Sequence, residues 1–427
     1  MAIPLEPNSE QRASISDHVS VFIDNWYDSI PEMDASAPGL STDQINSLLE
    51  PPAESGREIE EILAALDMAG QAGILHPSGG HLSYIPNAGL FTGAVGDHIA
   101  ATLNRYTGVS GAAPGMTAIE TGVTDWIASL FGFGDSAAAI LLSGGSTANM
   151  TAIVAARVSR LGEHFADGVI YVTEHTHHSV AKSARITGFR NDQIRDIPVD
   201  RALRMNTEML DEAIRVDIAA GLKPFLVVAS AGTTDTGTVD DFESITAVAG
   251  KHGLWVHVDA AYGGFFQLTE RGRKKFAGIE KSDSIALDPH KGLSIPFGVG
   301  ALVVKNRDHL IDANYGRGAY LNHDEVFQGL RDISSQGPEL TRPFRGLQVW
   351  LPLQLHGVGP FRDALDMSLD LAEYTFQRCG DIEGIKTPWA PDLSIVAVGF
   401  DDDDLGRRAM DAVNANRKVH MSSTLVG

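Results

Sequence analysis

A chain of 427 residues with a formal net charge of -22 can bury a large core, and it is too acidic to favour nucleic acid or an anionic membrane surface as partner. Its one cysteine, Cys379, excludes an intrachain disulfide and a cysteine-based zinc cluster, and no apolar run reaches the roughly 18 residues of a membrane span. The start, MAIPLEPNSEQR, lacks the basic and apolar regions of a signal peptide, which favours the cytoplasm.

Residues 1–75 are helical in pattern. Ser16-Asp17 can cap a segment through Trp26, and Ile59, Ile62, Leu63 and Leu66 form an apolar stripe at helical spacing. Prolines at Pro31, Pro38, Pro51 and Pro52 punctuate this arm, whose short helices cannot bury both faces alone and are predicted to pack on a second subunit. Gly79–Gly96, rich in glycine and aromatics, suits a loop lining a pocket, and Met116–Phe131 returns to helix with Ile119, Val123, Ile127 and Leu130 on one face. From Ala139 strand and helix alternate. The predicted strands are Ala139–Leu142, Val169–Thr173, Phe225–Ala229, Leu254–Val258, Ser284–Leu287 and Gly300–Val304, with helices such as Ala148–Arg160 and Phe242–His252 between them. Continuous β-branched and apolar runs mark strands buried on both faces, so the expected class is α/β with a largely parallel sheet. After residue 345 come helices Leu347–Leu355 and Phe361–Arg378 and a strand Ile395–Phe400. The division expected is a helical arm at 1–75, a large domain at 76–345 and a smaller one at 346–427.

Ligands of such sheets bind beyond the carboxyl ends of the strands. The first strand is followed by Ser143-Gly144-Gly145-Ser146-Thr147-Ala148-Asn149 and a helix, a phosphate cradle without the lysine of a P-loop, or simply a capped helix start. The second leads into Glu174-His175-Thr176-His177-His178-Ser179, readable as a metal site, as loop histidines, or as an imidazole stacked on a flat ring. The third leads into Ser230-Ala231-Gly232-Thr233-Thr234, small and hydroxyl-rich, and the fourth into Asp259-Ala260-Ala261-Tyr262. A carboxylate there is costly unless it meets a cation such as a protonated ring nitrogen, and Ala261 leaves room for a planar ring. The fifth leads into Asp288-Pro289-His290-Lys291-Gly292, where apolar walls favour an amine free to attack a carbonyl. Phosphate cradle, imidazole, carboxylate and lysine together match the needs of pyridoxal phosphate.

The motifs GGHLxYIP, SGGSxAN, HHSxxKSxRI, ASAGTTDTG, HVDAAYGGF and DPHKG carry a resemblance to the group II pyridoxal phosphate-dependent decarboxylases, the family of aromatic amino acid, histidine and glutamate decarboxylases, and more narrowly to its bacterial members. The resemblance implies the type I pyridoxal phosphate fold, with a large mostly parallel domain and a smaller C-terminal one, working as a homodimer with the active site at the interface. By position it makes Lys291 the Schiff-base lysine, Asp259 the partner of the pyridine nitrogen and His177 the stacking ring, with Ala261 on the other face. Gly145 and Ser146 would hold the phosphate, with Asp288 or His290 near it, and Thr234 would lie close to the cofactor. The implied reaction is decarboxylation of an L-amino acid to the amine and CO₂. Alternatives are an aldehyde synthase or aminotransferase, an idle cofactor-binding homologue, and a metal-dependent hydrolase built on Glu174, His175, His177 and His178. Three departures from the family pattern stand out. A loop tyrosine of animal and plant relatives aligns near Ile333, with Tyr315 and Tyr320 upstream. Relatives continue several tens of residues beyond Gly427. Aromatic-specific relatives place two phenylalanines where this chain has His81-Leu82, which argues against a wholly aromatic pocket.

Overall fold

The apolar runs from residue 138 onward assemble into one sheet. The computed structural model describes residues 5–85, 88–314 and 329–424. Among these, β1 (Ala138–Leu142), β2 (Gly168–Val172), β3 (Ile194–Asp196), β4 (Lys223–Ser230), β5 (Trp255–Ala260), β6 (Ser284–Leu287) and β7 (Gly300–Val304) lie in the order β1-β7-β6-β5-β4-β2-β3. The sheet is parallel except for β7, which runs antiparallel to both β1 and β6. β1, β2, β5, β6 and β7 are buried at every residue, as strands covered on both faces must be. β3, short and polar, has no such pattern. The register sets Ser230 opposite Asp259 and Ala260 opposite Leu287, so neighbouring strands deliver their carboxyl ends to one edge.

Contacts within the chain divide it into two units, residues 1–88 with 402–427 and residues 89–401, rather than at 75 and 345. In the first unit, α1 (Ser9–Ser29) starts earlier than Ser16-Asp17 suggests. Asn8 Oδ1 accepts from Gln11 N at 3.0 Å and Gln11 Oε1 accepts from Asn8 N at 2.9 Å, a reciprocal pair that satisfies two otherwise orphaned donors. None of the residues of α1, α2 (Thr42–Leu49) or α3 (Ile59–Gly70) is buried. The 402–427 segment joins this unit through backbone bonds from Leu82 N to His420 O (2.9 Å) and from Ala35 N to Arg417 O (2.7 Å).

In the second unit, part of the stretch expected as a loop is helix α4 (Phe91–Leu103). Its glycines serve close packing. A Cβ on Gly93 would lie 2.5 Å from Pro296 Cδ, and one on Gly96 2.7 Å from Leu347 O. Helix Gly346–His356 packs on α4 and on α5 (Pro114–Ser129), which places it with the large unit. The strand expected at Ile395–Phe400 shrinks to Gly399–Phe400, paired only with Ile385–Lys386; residues 395–398 have no strand partner to satisfy their backbone. No described helix is long and apolar enough to cross a membrane.

Glu120 of α5 and Arg342 form a pair at 2.7 Å with both side chains 1% exposed, and Arg342 Nη2 also donates to Leu141 O at 2.9 Å. Burial pushes the Glu120 carboxyl up, and Arg342 opposes that shift. Removing one member strands a buried charge, at a cost of about 3–5 kcal/mol. Urea denaturation is expected to show that loss for Arg342→Met alone, and a much smaller one for Arg342→Met combined with Glu120→Leu.

Candidate active site

The connections leaving β1, β2, β4, β5 and β6 converge within the 89–401 unit on a cavity of about 260 Å³. The first is pressed flat. A Cβ on Gly145 would lie 3.0 Å from both Ala261 Cβ and Asp288 Oδ2, and one on Gly300 only 2.5 Å from Gly144 Cα. No side chain caps α6 (Gly145–Leu161). Thr147 N and Ala148 N bond to Gly144 O, each at 3.0 Å, and Gly145 and Ser146 at the helix N-terminus line the cavity, where the positive end of the helix dipole favours an anion.

From β2 comes His177. Its Nδ1 accepts from Ser179 N at 3.3 Å and meets Ser179 Oγ at 2.7 Å. A backbone N–H only donates, so Nδ1 is bare and the neutral ring carries its proton on Nε2. Burial lowers the His177 pKa, with Asp259 pulling the other way. His178 leans on the same ring, centroids 4.2 Å apart, while Glu174 is exposed and His175 buried. Among the described residues no cluster of three or more His, Cys, Asp or Glu is arranged to hold a metal ion.

β4 contributes Ser230, Gly232, Thr233 and Thr234. Asp259, 7% exposed, lies inside β5 rather than after it. Its Oδ2 accepts from Asn149 Nδ2 at 2.9 Å and its Oδ1 from Ala261 N at 3.1 Å. Tyr262 follows, its hydroxyl held 2.6 Å from Ser394 Oγ and its pKa raised by burial to about 12. After β6, Asp288 precedes the single turn Pro289–Gly292. Lys291 Nζ lies 2.8 Å from Asp288 Oδ2, and His290 Nε2 lies 3.6 Å from the same oxygen. His290 Nδ1 donates to Val299 O at 2.7 Å. Asp288 Oδ1 is buried without a hydrogen-bond partner.

The cavity thus brings together Gly145, Ser146, His177, Thr234, Asp259, Ala261, Asp288, His290 and Lys291. Sequence reasoning assigned nothing to Asn149, Ser179 or Tyr262. Asn149 had one signal, being a polar residue on the otherwise alanine face of α6 formed by Ala148, Ala152, Ala155 and Ala156. Ile333 is 7% exposed and belongs to the same buried cluster as Ile140 and Leu142; it is not among the residues that line the cavity. Tyr315 and Tyr320 lie outside the described residues.

An uncapped helix start pressed between glycines, an amine and a buried carboxylate at separate edges of one cavity fit the phosphate, aldehyde and ring nitrogen of pyridoxal phosphate. Fold and site define a type I pyridoxal phosphate enzyme. Residues 45–400 match the family model described as the pyridoxal-dependent decarboxylase conserved domain. An aromatic-L-amino-acid decarboxylase of Bacillus atrophaeus is 33% identical over 377 residues, covering 88% of this chain and 78% of that protein. In fold the chain is similar to the tryptophan decarboxylase of Catharanthus roseus (TM-score 0.91, 23% identity, covering 100% of this chain and 93% of that one). It is also similar to the 4-hydroxyphenylacetaldehyde synthase of Rhodiola rosea (TM-score 0.90, 23% identity, 98% and 92%). The chain belongs to the pyridoxal-dependent decarboxylase family and is a lyase with pyridoxal phosphate as its cofactor.

Two residues before Asp259, fully buried His257 has its pKa pushed down by burial to about 4. Between pH 6.5 and about 4 the unfolded chain binds a proton that the folded state refuses, so stability falls as pH falls, by on the order of 3 kcal/mol in all. His257→Gln removes this component. The stability gap between wild type and variant in urea is expected to narrow by about that amount from pH 7 to pH 4.

Proposed function

We propose that this pyridoxal phosphate-dependent amino acid decarboxylase acts on an aromatic L-amino acid, releasing CO₂ and the amine, as a cytoplasmic homodimer. The observation that carries the reading is the meeting of Lys291, Asp259, His177 and the open start of α6 in one cavity. The substrate class rests on the names of relatives such as the Bacillus enzyme. Bound pyridoxal phosphate supplies the sink for the electron pair left when CO₂ departs.

The residues divide the remaining work. Lys291 carries the cofactor by its aldehyde, and Asp288 Oδ2, 2.8 Å away, takes the proton that its amine must lose before attack. Gly145 and Ser146 would hold the phosphate, with His290 and Thr234 near it. Asp259 would keep the ring nitrogen protonated, and Ala261 and His177 would flank the ring. His177 would present Nε2–H, aimed away from Ser179, to the bound substrate, and once protonated at Nδ1 as well it would release the Nε2 proton to the α-carbon after CO₂ leaves. These assignments favour amine over aldehyde.

Two measurements test the reading. A screen of the twenty amino acids for CO₂ release, with peroxide assayed in air, should find an aromatic substrate giving amine equal to CO₂. Stoichiometric peroxide would instead identify an aldehyde synthase. Borohydride should trap the cofactor on wild type and fail on Lys291→Ala, and a trapped variant would remove Lys291 from its role. The dimer is supported by apolar side chains left open on the arm, among them Val21, Leu49 and Leu66, 53–73% exposed. Sedimentation at micromolar concentration should show two chains per particle, and a monomer that turns over substrate would contradict this.

A further inference from the structure

One neutral amide inside α6 ties together two pocket residues that come from different strands. Asn149, 1% exposed, donates from Nδ2 to Asp259 Oδ2 at 2.9 Å and to Ser179 Oγ at 3.0 Å. An ionised carboxylate only accepts, so the amide nitrogen must face Asp259 and Oδ1 must face His257 Nε2, 2.9 Å away. His257 Nε2 therefore carries the ring proton. Neutral near pH 7, the ring has a bare Nδ1 to accept from Ser284 Oγ at 2.8 Å, and Ser284 in turn accepts from Trp255 Nε1 at 2.8 Å. Every donor from Trp255 through Ser284 and His257 to Asn149 points toward Asp259. The other amide proton goes to Ser179, whose hydroxyl is then free to donate to His177 Nδ1.

We propose that Asn149, oriented by His257, is a positioning residue that holds Asp259 as an anion and His177 as its Nε2–H tautomer. The inference rests on the decarboxylase reading, which gives Asp259 a ring cation to hold. Asp259 acts on His177 from the β2 exit and on His257 of its own strand, and His177 is also reached by His178 beside it and by Lys291 and Asp288 from the β6 exit. Of these, His257 is bonded to Asn149. Without the amide, Asp259 keeps only the Ala261 N–H and competes for the ring proton, because hydrogen bonds given to a carboxylate favour its charged form. A ring deprived of positive charge loses its proton-linked visible band at higher pH. A merely structural asparagine would leave that midpoint unmoved.

The experiment compares holoenzymes of wild type, Asn149→Ala, His257→Phe and His257→Gln without substrate. Each is reduced with borohydride, mapped for the labelled lysine, and titrated by visible absorbance. All four are expected to be labelled at Lys291. The midpoints of Asn149→Ala and His257→Phe should rise by about one pH unit, while His257→Gln, whose amide can restore the Nε2–H donor, stays near wild type. The proposal is overturned if the loaded Asn149→Ala and His257→Phe proteins titrate as wild type. It is also overturned if His257→Gln shifts as far as His257→Phe, since packing alone would then be at work. Where one variant does not fold, the other decides. Nitrogen-15 shifts of the wild-type histidines add an independent readout, with a bare Nδ1 expected on both His177 and His257 and the opposite tautomer on either one counting against the proposal. Failure of wild type to be labelled at Lys291 would overturn the decarboxylase reading itself, whatever the variants do.

Discussion

A carboxylate buried in the middle of an apolar sheet needs donors on its own side and a cation on the other, and Asp259 imposes that demand on the centre of this molecule. β5 is the fourth of seven strands, so backbone neighbours occupy both its flanks and relief must come from a covering helix. That helix is α6. Its alanines at 148, 152, 155 and 156 are fully buried and bring the backbone close enough for a short asparagine to reach the sheet. A leucine at any of these positions would hold the helix off and leave the carboxylate without its amide.

The polar chain behind Asp259 follows the same logic. Trp255, His257 and Ser284 are fully buried, and each would be a liability alone. Joined end to end, with each donor meeting one acceptor, they form a satisfied network in a low dielectric. Its weak point is histidine, which must stay neutral, so the arrangement that orders the site also makes the fold sensitive to acid.

Much of this was legible in the sequence because the fold makes position and chemistry coincide. The stretch after each continuous apolar run lies at a carboxyl edge of the sheet, which marked residues 143–149, 174–179, 259–262 and 288–292, while the choice of Gly145 and His177 within theirs rests on the family resemblance. The illegible parts lack that coincidence. Asn149 sits inside a helix, and its partner Asp259 lies 110 residues away. β3 is three residues long and two of them are charged. Gly93 and Gly96 look like loop residues because sequence does not distinguish a glycine needed for a turn from one needed for contact. The burial of Ile333 in the same cluster as Ile140 and Leu142 depends on tertiary packing that its sequence neighbours do not reveal. The helix at 346 packs backward onto α4 and α5, a contact that its place in the chain does not announce.

β7 is the one described strand of the sheet that points opposite to the other six. The segment from Asp288 to Val299 therefore leaves β6 and enters β7 at the same edge, and Leu287 pairs with Ala301 across its base. His290 Nδ1 to Val299 O closes it at the foot, and Leu90 N to Ser294 O pins it from outside. Lys291 thus rides on a short hoop with both feet fixed in adjacent strands. A slip of one residue between β6 and β7 would turn every side chain of the strand to the opposite face and carry the amine away from the open end of α6. Whatever occupies the cavity and bonds to that amine is therefore a gauge of strand alignment. It binds only the correctly registered sheet, and mass action then draws the population toward that register.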